Sequence, residues 1–214
     1  LFSGWSTGDT HAGPSNMHWG FDNWIWGIVG YSGFNGRIGE EQHRFSTGFY
    51  RFRPDGSAGE FIRNTNNNSW GVGFNEEGAV FGSTANRNPS VYMPIANRYY
   101  ESVRGWSSSR LGMTSQTARF YPITPDVRQV DHHENFTAGA GHALYTARSY
   151  PRHYWNRAAF INGPTGHLVA TFLIESRGSD YLSRNSWNLL ASDDQWTAPI
   201  MSEVGPDGMV WMID

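Results

Sequence analysis

Four times along the chain an apolar strand runs into a short turn and returns as a second strand rich in aromatic residues. The clearest copies read MHWGFDNWIWG around Gly20, WGVGFNEEGAVFG around Gly73 and IMSEVGPDGMVWMID around Pro206, and a looser one, TAGAGHALYTARSYPRHYWNRAAFI, spans Thr137 to Ile161. Alternation of large and small residues about a Gly/Asp/Asn turn specifies a tight β-hairpin. A hairpin recurring every ~50 to 65 residues is the signature of a repeat architecture, long for a propeller blade but compatible with one carrying loop insertions.

The segments between these hairpins supply outer strands. FSTGFYRFRP (45–54) ends in Pro54-Asp55-Gly56, where proline presets φ and glycine accepts a positive φ, and GEFIR (59–63) follows as its partner. GHLVATFLIES (166–176) is the most strand-like apolar run and closes at Arg177-Gly178-Ser179. From Ala85 to Val130, with Pro89, Pro94, Pro122 and Pro125 and serines at 107–109, the pattern breaks. It predicts a long insertion crossing one face, with a short helix near Arg98–Arg104. The expected fold is all-β: a single β-propeller domain or a segment of one, of three to four four-stranded blades, with units near residues 9–63, 64–130, 131–190 and 191–214. Such an open array leaves sheet edges uncovered, so further blades or a partner chain are expected to close it. The start at Leu1 predicts a processed or excerpted chain.

Composition narrows the chemistry. Charged residues are only 16% of the chain while aromatics are 15%, with 25 Gly and 10 Trp; few charges and many aromatics suit sheets better than helices. All of the 16 basic residues are arginine. Without lysine, this chain offers neither Schiff-base chemistry nor a P-loop lysine. Without cysteine, it has no disulfide, thiol nucleophile, zinc ribbon or covalent haem attachment. A net charge of −3 gives no drive toward nucleic acid, and no apolar run approaches the ~18 residues of a membrane span.

Five stretches carry a resemblance: DTHAGPSNMHWGFDNWIWGIVGYSGF, STNNNSWGVGF, FGSTANRNPSVYMPIANRYY, GHLVATFLIES and LLASDDQWTAPIMSEVGPDGMVWMID. Together they resemble the planctomycete-type membrane-bound dehydrogenase propeller, a family distantly similar to the soluble quinoprotein glucose and sorbosone dehydrogenases. The resemblance implies a periplasmic or extracellular bacterial protein, a sugar or polyol substrate, and pyrroloquinoline quinone (PQQ) with Ca²⁺ as cofactors. Haem would sit only on a domain outside this chain. It also implies a catalytic histidine before an inner strand and its turn, and His11 stands in that order before Gly20-Phe21-Asp22. Where the sugar dehydrogenases carry Arg-Asn-Pro beside the quinone, this chain has Asn67, Asn68 and Ser69. Where they carry Arg-Pro before the last turn, it has Ala198-Pro199. The quinone-contacting arginines are therefore unmatched.

In a propeller the loops before the innermost strands gather on one face near the axis. That rule brings His11, Asn67, Asn68, Asp194 and Trp196 to one mouth. A histidine suits a base for a sugar hydroxyl, amides bind hydroxyls, and tryptophan offers a stacking face. Equally, His11 could bond only its own loop and the asparagines could satisfy turns. His142 is a further binding candidate, although His142 and His167 in strand-like segments also read as hydrogen-bonded core or channel histidines. Asp131-His132-His133-Glu134 reads as a solvated loop rather than a metal site, since neighbouring positions of a strand face opposite ways. Glu40-Glu41 and Glu76-Glu77 read as turn charges. Two functions follow: a sugar or polyol oxidoreductase with His11 as base, or a non-catalytic propeller that binds carbohydrate or a partner chain. A lyase or hydrolase has no specific motif behind it.

Overall fold

The first and last hairpin copies owe their turns to one local device. In a computed structural model of the protein, which describes residues 1–107, 110–127 and 133–214, Asp22 Oδ1 accepts the backbone N–H of Trp24 at 3.1 Å and the indole N–H of Trp26 at 3.1 Å. Asp207 repeats this with Met209 N at 3.0 Å and Trp211 Nε1 at 3.2 Å. The acid satisfies turn donors that would otherwise face only water, and the tryptophan four residues on lies across the turn. The second turn uses Asn75, whose Oδ1 accepts Ala79 N at 2.7 Å.

Strands grow from these turns. In the first sheet β1 (Pro14–Trp19), β2 (Ile25–Val29), β5 (Gly48–Phe52) and β6 (Gly59–Asn64) pair antiparallel in that order, with the hairpin β3 (Phe34–Ile38) and β4 (Glu41–Phe45) inserted between β2 and β5. The second sheet is β7 (Ser69–Phe74), β8 (Val80–Thr84) and β9 (Val91–Met93), followed by helix α1 (Asn97–Glu101). The third is β10 (Ala140–Leu144), β11 (Ala158–Gly163), β12 (Leu168–Arg177) and β13 (Asp180–Ala191). Last comes the pair β14 (Met201–Val204) and β15 (Val210–Ile213). The first strands of successive sheets lie side by side, β1 on β7, β7 on β10 and β10 on β14. The molecule is thus an all-β propeller built of blades around an axis lined by β1, β7, β10 and β14. No helix among the described residues is long and apolar enough to cross a membrane.

Both faces of the third blade are buried, which explains its continuous apolar runs. Along β11, Ala159 and Ile161 pack toward the second blade with Phe81, while Ala158 and Phe160 pack toward β14–β15 with Tyr145. Along β12 the alternation repeats: Leu168, Ala170, Phe172 and Ile174 on one side, Val169 and Leu173 on the other. The period of two sorts one strand between two cores, and each fully buried Phe or Ile contributes about 1.5–3 kcal/mol. On the free face of the first blade, Phe2, Trp5, Phe34, Phe45, Tyr50 and Phe52 form an aromatic cluster under the β3–β4 hairpin.

Two expectations change. The second sheet has three strands rather than four. Pro94 directly follows β9 and Pro89 precedes it, and neither proline can donate to a ladder. Where a fourth strand would lie, Thr114 N bonds Ser90 O at 2.9 Å, Ser183 N bonds Thr114 O at 3.0 Å, and Ser115 forms an isolated bridge to Ser183. The helix of the insertion starts at Asn97 and ends at Glu101, short of Arg104, because Ser102 and Val103 already bond as turns and Gly105 takes φ +83°. The turn charges sit as expected. Glu76 pairs with Arg148 at 2.7 and 2.9 Å and Glu77 accepts from Asn156 at 2.8 Å, joining the β7–β8 turn to the loop after β10. Asp131 and His132 lie outside the described residues; beside them, Glu134 pairs with Arg119.

Candidate functional site

The mouth is assembled from the loops before β1 and β7. Residues Thr10–Ala12 form a single 3-10 turn whose N-cap is Asp9, with Asp9 Oδ1 accepting His11 N at 2.8 Å. The same oxygen lies 3.5 Å from His11 Nδ1, and the other carboxylate oxygen accepts the Tyr31 hydroxyl. The Tyr31 hydroxyl, then the His11 amide, holds the Asp9 carboxyl below the ordinary Asp range, and the same hydrogen bond raises the Tyr31 phenol. Asp9 stays ionised, facing Nδ1 of His11. The His11 side chain is 85% exposed, so its ring is presented rather than packed.

The main chain of His11 does the structural work. Its carbonyl accepts Asn68 Nδ2 at 2.7 Å and Trp70 Nε1 at 3.0 Å, fastening the first loop to the second blade. Asn67 spends its amide on Asn86 O at 3.2 Å and on the N–H of Asn68 at 2.7 Å. Asn68 Oδ1 is buried without a partner. Gly30 makes this approach possible: a Cβ there would fall on the Asn68 amide and 2.8 Å from Ala12 O. Beside the two asparagines lies a cavity of about 270 Å³ lined by Tyr31, Thr65, Asn67, Asn68 and Arg110.

The remaining candidates sit elsewhere around the ring. Asp194 caps its own turn, accepting Trp196 N at 2.9 Å, and Trp196 is exposed. Both lie on the loop before β14, which His167 anchors: buried, with φ +57°, it meets Thr197 O at 2.6 Å and Asp126 O at 3.0 Å. His142 is enclosed between the second and third blades. Its Nε2 meets Ser90 Oγ at 2.9 Å, its ring stacks on Phe81 at 5.7 Å, and burial pushes it down to about 4, so it is a neutral core histidine. The structure therefore brings His11, Asn67 and Asn68 together, and packs His142 into the core.

One pair went unnoticed in the sequence. His18 on β1 and Glu203 on β14 meet across the axis, Nε2 to Oε1 at 3.3 Å. The signal lay in the repeat: each residue stands two positions before the glycine that opens its turn, Gly20 or Gly205. Equal places in two inner strands sit at equal depth in the channel. Burial pushes Glu203 up to about 7 and His18 down, so each favours its neutral form. A carboxyl raised in the folded state stabilises fully below its unfolded pKa, near 4.3, and that stability is lost as pH rises through about 7. Because the Glu203 side chain is 43% exposed, solvent screening reduces the effect to about 1 kcal/mol. Glu203→Gln is expected to flatten the fall in thermal midpoint between pH 5 and pH 8. Parallel profiles for the two proteins would refute the assignment.

The family model that matches residues 1–214 is described as a domain of unknown function, DUF7133. The chain belongs to that family. No curated protein matches it. Among solved structures, the DUF7133 chain is similar to the soluble aldose sugar dehydrogenase of Escherichia coli in its apo form, at 15% identity and a TM-score of 0.57, over 97% of this chain and 62% of that one. It is similar to the PQQ-bound aldose sugar dehydrogenase of Streptomyces coelicolor at 12% identity and a TM-score of 0.51, over 90% of this chain and 52% of that one. A glucose dehydrogenase matches at 14% identity and a TM-score of 0.53, over 97% of this chain and 61% of that one. At these identities the likeness is one of fold, and the DUF7133 chain spans less than two thirds of the length of each of these structures.

Proposed function

We propose that the protein is a sugar or polyol oxidoreductase of the quinoprotein dehydrogenase-like type, with His11 as the base. One observation carries the reading: an ionised Asp9 faces Nδ1 of an exposed His11 at the mouth of a propeller of the sugar dehydrogenase fold. A carbinol bound there gives its hydroxyl proton to His11 Nε2 and its C–H hydride to a two-electron acceptor. The closer kinship is with planctomycete-type membrane-bound dehydrogenase propellers, placed in the periplasm or outside the cell, with further blades or a partner chain closing the ring beyond β15.

The mouth suits a neutral polyhydroxylated ligand better than PQQ. PQQ is a polyanion that calls for cations, whereas the positions matching the quinone arginines hold Asn67 and Ala198. The Asn67 and Asn68 amide groups already donate to backbone carbonyls. Among the described residues no cluster of three His, Asp or Glu side chains is arranged to hold a metal ion. Those departures favour a second reading, a carbohydrate-binding propeller without turnover, using exposed Trp196 as a stacking face.

A panel of sugars and polyols separates the two readings, assayed for dye reduction with and without added PQQ and Ca²⁺, alongside retention on immobilised glycans. Substrate-dependent dye reduction supports the oxidoreductase. Glycan retention without dye reduction, weakened by Trp196→Ala, refutes it in favour of the binding module.

A further inference from the structure

At the outer rim, away from His11, one buried charge is left without a counterpart. Arg63 on β6 is only 3% exposed, and its Nε and Nη1 are buried with no hydrogen-bond partner. No described carboxylate pairs with it. Above it lies α1, pinned by Asn97 Nδ2 on Asn64 Oδ1 at 2.7 Å, and the Tyr100 ring of that helix covers the guanidinium at 4.5 Å. On another side Leu111 N bonds Asn64 O at 3.3 Å. The ring face offsets part of the lost hydration, but it cannot accept the in-plane N–H groups. Guanidinium N–H groups buried without acceptors are costly, and such groups in native structures call for an explanation such as a bound ion.

Arg63 lines a cavity of about 710 Å³ between the first three blades. Arg110 and Arg177 line it too, both exposed and neither paired with a described carboxylate. Asp180 is the single acid among the lining residues, and its Oδ1 already accepts Tyr181 N at 2.8 Å. Three guanidinium groups against one carboxylate leave a net charge of +2 in a cavity walled by Tyr92, Tyr181 and Met113. The place exists because the second blade stops at three strands: the irregular segment that replaces a fourth strand carries Arg110 and leaves the space open. Arginine forks match the oxygens of phosphate and carboxylate groups.

We propose that this cavity binds a small oxyanion-bearing ligand of at least two negative charges, held by Arg63, Arg110 and Arg177. The site shares only Arg110 with the cavity beside the mouth and does not depend on the protein being an oxidoreductase. Arg110 also lines the smaller cavity beside Asn67 and Asn68, so an occupied rim site would draw that side chain away from the mouth.

Inorganic phosphate and citrate, titrated to millimolar concentration at constant ionic strength against chloride, test this by thermal midpoint and calorimetry. Either probe is expected to raise the midpoint saturably, and the more effective one identifies phosphate or carboxylate chemistry. Arg177→Gln and Arg110→Gln, both at exposed positions, are each expected to weaken binding about tenfold. Arg63→Met is expected to abolish the anion response while raising the midpoint in anion-free buffer, because it removes the unpaired charge. No saturable shift with either probe would overturn the proposal. So would a shift that survives both exposed-arginine variants unchanged, whatever happens to the folding of Arg63→Met.

Discussion

His11→Ala is expected to lower substrate-dependent dye reduction by about 10²-fold or more, the scale of a lost general base, while the thermal midpoint stays where it was. The two halves of this expectation come from different atoms of one residue. The ring, 85% exposed, contributes almost no packing. The carbonyl, bonded by Asn68 and Trp70, and the N–H, bonded by Asp9, hold the loop and survive the substitution. Asp9→Asn keeps an acceptor for the turn but removes the charge facing Nδ1, so it is expected to cut turnover less than His11→Ala and to leave KM unchanged. Loss of activity with a parallel loss of stability would mean that the loop has collapsed. Full activity in His11→Ala would remove His11 from the chemistry altogether.

What was legible in the sequence follows from how local each feature is. The turns at Asp22 and Asp207 are made within five residues, so their Gly-x-Asp spacing is visible in the chain itself. The face alternation of β12 is equally local, and GHLVATFLIES could be read as a strand before anything was known of its neighbours. The convergence of His11 with Asn68 spans 57 positions. It was reachable only because the propeller geometry puts every loop before an inner strand on one face. His18 and Glu203 obey the same geometry, and reading equivalent repeat positions side by side would have found them. Arg63 was out of reach. Nothing in GEFIRN distinguishes it from the salt-bridged Arg51 on the neighbouring strand β5, which has Asp22 and Glu60 as partners. Only the packing of α1 and the irregular segment over β6 leaves one arginine paired and the other not.

Gly73→Ala is expected to destabilise the protein by about 3 kcal/mol, at the upper end for overpacking, and its cause lies where the inner strands touch. A Cβ on Gly71 would stand 2.6 Å from Gly141 O, and one on Gly73 would run into the carbonyl oxygen of His142. Here the neighbour is backbone, which cannot rotate aside as a side chain can. Nor can β10 easily withdraw, since His142 is held by Ser90 at 2.9 Å and stacked on Phe81. The glycines of GVG are therefore spacers that let two blades meet strand to strand at the axis, and the small residues of the repeat carry as much of the fold as its tryptophans. Gly13→Ala is the matched control: its Cβ meets nothing within 4 Å and its φ of −79° suits any residue, so it should fall within about 0.5 kcal/mol of the parent. Urea unfolding of the two variants separates steric from general effects of losing glycine. Equal midpoints would mean that β7 and β10 can move apart freely, and the ring of loops at the mouth would then have no rigid frame beneath it.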